Sequence, residues 1–196
     1  NSGIRRAERT MMNSMTILGR NLLGLTSAAL LLGACQDNIP TQSRPCPAVK
    51  VAQDAAYLTR FAGEAEDLAE TSFEARIARS ASMCTYVINT ETGETTIRSE
   101  ISVEFVASRG PKNPDSAAIF KYQVGVTGPG NALLPGQQLL DVQIPFSASK
   151  VQNVAQDQVF VYTPLKKGET GDFYRIWLSL EVTPKELDYN RRNPQF

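Results

Sequence analysis

The chain contains no histidine among its 196 residues. This removes the side chain that most often serves as general base at neutral pH, and the commonest transition-metal ligand. Ser–His–Asp and Cys–His nucleophilic sites are excluded with it, as are zinc sites built on His. Carboxylate and Lys chemistry stay open, so enzymes are disfavoured as a class but not ruled out. An excess of charge is also missing, because Lys+Arg and Asp+Glu both number 20. No field of one sign draws a phosphate backbone, and nucleic acid is not expected as a partner. Long apolar runs are absent too. The run at residues 22–34 extends for 13 residues, or about 20 Å as a helix, short of the ~30 Å bilayer core.

What is present is the composition of a globular protein, 42% hydrophobic and 20% charged, with length for one domain plus a processing segment. The apolar run follows Arg20 and reads as the core of a signal peptide covering residues 1–34. Met11, Met12 and Met15 each offer a translation start, so the residues before them are read as an N-terminal extension. Removal of residues 1–34 takes away Arg5, Arg6, Arg9, Arg20 and Glu8. The even balance then becomes a net charge of about −3.

The run ends in Leu32-Gly33-Ala34-Cys35, which resembles the lipobox of bacterial lipoproteins. The resemblance implies a diacylglyceryl group on the Cys35 sulfur, cleavage between Ala34 and Cys35, and acylation of the new amine. Two or three acyl chains anchor a protein stably, at about 0.8 kcal/mol per buried CH₂. By the sorting rule of enteric bacteria, Asp directly after the lipidated Cys retains a lipoprotein in the inner membrane. Gln36 stands there instead, so the resemblance favours the outer membrane over the inner, with the domain facing the periplasm. Residues 35–45 have no apolar period and read as a tether.

With Cys35 spent on lipid, Cys46 and Cys84 remain. An even pair in an exported chain is expected to form a disulfide. The Cys-x-x-Cys spacing of redox-active pairs is absent.

Residues 46–184 read as β. Apolar residues alternate along four stretches: Ile97, Ile101, Val103, Phe105 and Ala107, with Ser99 on the same face; Ala118 to Val126; Leu140 to Phe146; and Tyr174 to Val182. Weaker candidates lie at 49–52, 57–61, 73–78, 83–88 and 159–162. Turn residues at 91–93, 109–114, 128–131 and 166–171 separate the stretches. Seven to nine such strands point to an all-β, antiparallel two-sheet sandwich, immunoglobulin- or fibronectin-III-like, with a small barrel as runner-up. Residues 64–71 form one helical turn or a loop. Residues 185–196 form a tail or a short helix.

The order Cys46-Pro47, Ala56-Tyr57-Leu58-Thr59-Arg60-Phe61, Phe73-Glu74-Ala75, Cys84, Arg109-Gly110-Pro111 resembles a group of uncharacterised alphaproteobacterial envelope lipoproteins, over residues 46–182. That resemblance implies localisation and fold, and no activity.

Motifs that carry chemistry are weak. Ser147-Ala-Ser-Lys150 matches the Ser-x-x-Lys of penicillin-binding enzymes, but follows a strand and lacks the partner motifs. Lys166-Lys-Gly-Glu-Thr-Gly171 lacks Walker spacing and reads as a hairpin turn. Glu64, Glu66, Asp67 and Glu70 form an acidic cluster without EF-hand spacing, and read as a solvated surface. Trp177 falls on the outward face beside Arg175. The C-terminal residues Leu187, Tyr189 and Phe196 are expected to fold back over it; otherwise Trp177 and Arg175 have the composition of a binding hot spot.

The expectation is therefore a non-enzymatic, lipid-anchored envelope lipoprotein, structural or protein-binding, with no catalytic residue, metal or cofactor. It meets the membrane through Cys35 and an envelope protein through Arg175, Trp177 and the loop beginning at Arg109. The alternative is a lipoprotein holding a small ligand, glycan or lipid in an apolar pocket. A carboxylate hydrolase is the third reading, and it needs two converging acids, one with a raised pKa.

Overall fold

Along β4 (Thr95–Arg109), Ile97, Ser99, Ile101, Val103, Phe105 and Ala107 are all buried, while the residues between them face outward. The pleat turns successive side chains to opposite faces, so an apolar period of two makes a strand with one wet face. The same logic builds β5 (Ala117–Thr127), β6 (Gln138–Pro145) and β8 (Arg175–Leu180) around the other three expected faces. The computed structural model describes residues 44–147 and 151–195. The remaining described elements are β1 (Ala48–Val51), β2 (Tyr57–Phe61), β3 (Thr71–Ile88), β7 (Gln152–Leu165) and a helix, α1 (Pro184–Arg192).

The strands form two four-stranded sheets, ordered β1-β8-β5-β6 and β2-β3-β4-β7. The all-β two-sheet sandwich is thereby borne out. Its likeness to immunoglobulin domains is one of layered architecture, since the strand order is its own. One pair, β1 with β8, is parallel, and the others are antiparallel. Between the sheets the filling is aromatic. Phe105 packs against Phe120 and Tyr122 with ring centroids 5.7 and 4.9 Å apart, and Phe73 lies 6.3 Å from Phe120. Each such pair adds about 0.5–1.5 kcal/mol beyond the area it buries.

Residues 73–78 and 83–88, expected as separate strands, are one continuous strand. In β3 the register slips between Ile77 and Arg79, a β-bulge at Ala78. The bulge turns Ser80, Ser82, Cys84 and Tyr86 inward opposite Val103, Ile101, Ser99 and Ile97. An apolar pattern thus becomes a polar one at the bulge, which breaks the periodic signal in the sequence.

Gly110 explains the sharp departure from β4. A Cβ there would stand 2.1 Å from the Thr71 carbonyl oxygen, and its N–H donates to Ser72 O at 2.8 Å. Within 64–71 a short 3-10 turn forms at Leu68–Glu70, where the Asp67 carboxylate accepts from Ala69 N at 2.9 Å. The C-terminal residues form α1. Thr183 and Glu186 make a reciprocal capping box at its start, with Pro184 in the first turn. The helix lies on β2: Tyr57 donates to Asn190 O at 2.6 Å, and Phe61 meets Tyr189 edge-on at 5.2 Å.

Candidate partner-binding surface

β8 runs between β1 and β5, and its alternation puts Arg175, Trp177 and Ser179 on the outer face of the first sheet. Register places Trp177 between Lys50 on β1 and Gly125 on β5. Gly125 has no side chain to raise against the indole. Leu133 and Gln137 lean over it instead, each 3.7 Å from where a Cβ would sit. Trp177 Nε1 donates to Thr127 Oγ1 at 3.1 Å, and Arg175 donates to Asn131 Oδ1 at 3.3 Å. The ring is therefore oriented by its polar edge and remains partly exposed. Trp177 is 37% exposed and Leu133 59%. Leu139, also half exposed, stands opposite Gln123 on the same face. Lys50 and Arg175 supply positive charge at its margin.

The expected cover does not form. α1 packs on β2 in the other sheet, with Tyr189 against Phe61 and Leu187 on the same helix. Phe196 lies outside the described residues. A helix capped by Thr183 and pinned by Asn190 leaves the strand along a direction that carries it away from the outer face. The sequence named Arg175 and Trp177 correctly as neighbours but missed Lys50, Gly125, Thr127 and Leu133. Lys50 arrives by a parallel pairing with β8, Gly125 and Thr127 by an antiparallel one, and Leu133 by a bridge to Thr127, and no local pattern announces any of them.

Arg109 lies elsewhere. It ends β4 opposite Phe73, and the following loop returns to β5 at Ala117, whereas Arg175 pairs with Thr127 at the other end of β5. Eleven residues of strand at about 3.3 Å each separate these ends. The loop is occupied structurally, with Lys112 paired to Glu70 at 3.5 Å and Asn113 donating to Ala117 O at 2.9 Å.

The two remaining cysteines meet. Cys46 and Cys84 form a disulfide. Around it, Tyr86 donates to Pro45 O at 2.6 Å, and Gly171 N donates to the Tyr86 hydroxyl at 2.8 Å. The guanidinium of Arg44 lies 5.2 Å over the Tyr86 ring. Gly171 approaches so closely that a Cβ would stand 2.2 Å from Pro45 O. The chain is thus clamped where it joins the domain.

Beside this clamp the turns after β3 and β7 enclose an open groove of about 620 Å³, lined by Arg44, Tyr86, Glu94, Lys166 and Glu169 among others. Tyr174 donates to Glu169, which also accepts from Lys166 N at 3.0 Å. Those bonds hold the Glu169 carboxyl below the usual range, while burial and then Glu169 push the Tyr174 hydroxyl up to about 12. Glu104, bonded to Arg79 and Gln156, is also lowered. Downward shifts are opposite to what a general acid needs. The acidic cluster is dispersed among separate partners: Glu64 with Lys185, Glu66 with Arg192, and Glu70 with Lys112. Residues 148–150 of the Ser-x-x-Lys match, and Cys35 with the whole lipobox, lie outside the described residues. Among the described residues no helix is long and apolar enough to cross a membrane.

No family model matches the chain, and no curated protein or solved structure matches it either.

Proposed function

We propose that this chain is a lipid-anchored envelope lipoprotein whose sandwich binds another envelope protein, without catalysis, through the face around Trp177. The observation that carries the binding reading is the sheet face on which an oriented, partly exposed Trp177 sits with Leu133 between Lys50 and Arg175. Aromatic and Arg anchors on a rigid strand are the composition of interface hot spots. The anchor reading rests on Leu32-Gly33-Ala34-Cys35. A Cys46–Cys84 disulfide suits the oxidising compartment to which that address leads. With Gln36 after the lipidated position, the outer membrane is the favoured site, the domain facing the periplasm.

The small-ligand reading asks for a deep apolar pocket. The space between the sheets is instead filled by Phe73, Phe105, Phe120 and Tyr122. The test is cross-linking in cells followed by mass spectrometry, comparing the native chain with Trp177→Ala, Arg175→Ala and Cys35→Ala. A specific envelope partner is expected with the native chain. Its affinity should fall about 30-fold or more with Trp177→Ala, the scale of a hot spot. Unchanged capture by both surface variants would remove this face from the proposal.

A further inference from the structure

Four strands end the two sheets, and each of them is blunted. β1 carries Lys50, next to Pro47. β6 carries Asp141 and Pro145. β2 is covered by α1 through Tyr57, Phe61 and Asn190. β7 carries Asp157 and Pro164, and side chains of Asn153 and Gln138 bridge it to β6, reaching Pro145 O and Phe160 O. Such devices keep an edge from pairing with another chain.

The second half of β3 has none of them. β2 pairs with β3 only as far as Arg76, and Ala56 O takes the N–H of Ile77. From residue 78 to residue 88 one side of the strand has no partner among the described residues. Residues 80–88 read Ser-Ala-Ser-Met-Cys-Thr-Tyr-Val-Ile, with no charge, no Pro and no Gly. Met83 is 66% exposed, and Val87 and Ile88 about half. A strand of this length and composition, unpaired on one side, is a template for another strand.

We propose that this edge pairs with the same edge of a second copy, antiparallel about a two-fold axis through Met83. The midpoint of the free edge, 78 to 88, falls on Met83, so this register uses the whole edge. It sets Ala81 against Thr85, Ser82 against Cys84, Ser80 against Tyr86 and Arg79 against Val87. No like charges oppose, and Arg79 is already paired with Glu104 at 2.7 Å. A two-fold between antiparallel strands stands perpendicular to the sheet, so both inner faces lie on the same side. Cys84 and Tyr86 point inward and clamp Cys46 and Pro45 one to three residues from the axis. Pro45 of one copy and Pro45 of the other therefore lie on one side of the joined sheet, within about 20 Å of each other. Two copies anchored in one membrane require that arrangement, and in this respect the inference rests on the lipid-anchor reading.

The test is Met83→Cys in the full-length chain, expressed in its own membranes. On the axis the residue faces itself, with Cα atoms about 5 Å apart, within disulfide reach. A dimer linked at residue 83, with Cys46–Cys84 intact by peptide mapping, is the expected product. Val87→Cys places its two thiols roughly 27 Å apart and should give no dimer. Met83→Lys sets two charges against each other and should lower chemically cross-linked dimer about tenfold or more. Its fold is checked by circular dichroism. Lipid on Cys35 is measured separately by mass. With Cys35 lipidated, a monomer that Met83→Cys fails to link overturns the pairing, as does linkage at residue 83 to a different protein. With Cys35 unmodified and the link still formed, the pairing stands and the anchor reading fails instead.

Discussion

The hydroxyl of Tyr122 on β5 donates to Asp157 Oδ2 on β7 at 2.9 Å, a hydrogen bond that crosses from one sheet of the sandwich to the other. The ring is fully buried against Phe105. A phenol there reaches past the apolar layer to the far sheet, which an ordinary core Phe would not do.

Tyr122→Phe keeps the ring and removes that bond. A hydrogen bond to a charged group contributes about 1.5–3 kcal/mol, so urea unfolding at pH 7 should show a loss of that order. Burial first, and then Asp157, raise the pKa of Tyr122. A raised folded-state pKa favours the protonated phenol, so this stability is present below the unfolded value of about 10 and is lost as pH rises above it. The native protein should weaken steeply above about pH 10, with Tyr122→Phe showing a flatter profile. Parallel profiles would refute the role.

The Cys46–Cys84 bond closes a loop with a sequence separation of 38. In the chain-entropy account this contributes about 4 kcal/mol. The double variant Cys46→Ser, Cys84→Ser is expected to lose up to that amount, read from the urea midpoint. It also releases the clamp at Pro45, so the Gly171 amide, which donates to the Tyr86 hydroxyl in that clamp, should exchange its hydrogen faster than in the native protein.

Gly110→Ala should cost about 1–3 kcal/mol, because the new methyl meets the backbone at Thr71 and nothing flexible can yield. Gly63→Ala is the control, with open space around its Cβ. Equal midpoints for the two variants in urea would contradict the close approach.

Trp177 is the sole tryptophan of the chain, so its fluorescence reports on the proposed face alone. In the free protein acrylamide should quench it readily, given its exposure. Bound partner should shift the emission to shorter wavelength and reduce quenching. Binding that leaves both unchanged would place the contact elsewhere.

The inward faces of β4, β5, β6 and β8 were legible residue by residue, because the pleat imposes a period of two on any strand with one dry side. Ser99 was legible as an inward residue for the same reason, although it is polar. β3 was legible in two pieces, since the bulge at Ala78 reverses the faces and the inward residues of the second piece, Ser80, Ser82, Cys84 and Tyr86, are mostly polar. On the candidate surface, Arg175 and Trp177 follow from parity along one strand. Lys50 and Leu133 do not, because they arrive from positions more than 40 residues away in sequence.

By itself, then, the order of amino acids determined which side of each strand is dry, and it offered Cys46 and Cys84 as a pair, which the structure joins. Those are properties of neighbours along the chain, where pleat geometry and residue chemistry act over a few residues. The tertiary structure decided which strands lie side by side, that β1 joins β8 in parallel, that α1 covers β2 and leaves Trp177 open, and that the second half of β3 has no partner on one side among the described residues. These outcomes depend on how whole faces fill one another across the sandwich, and packing of that kind has no period for a sequence to display.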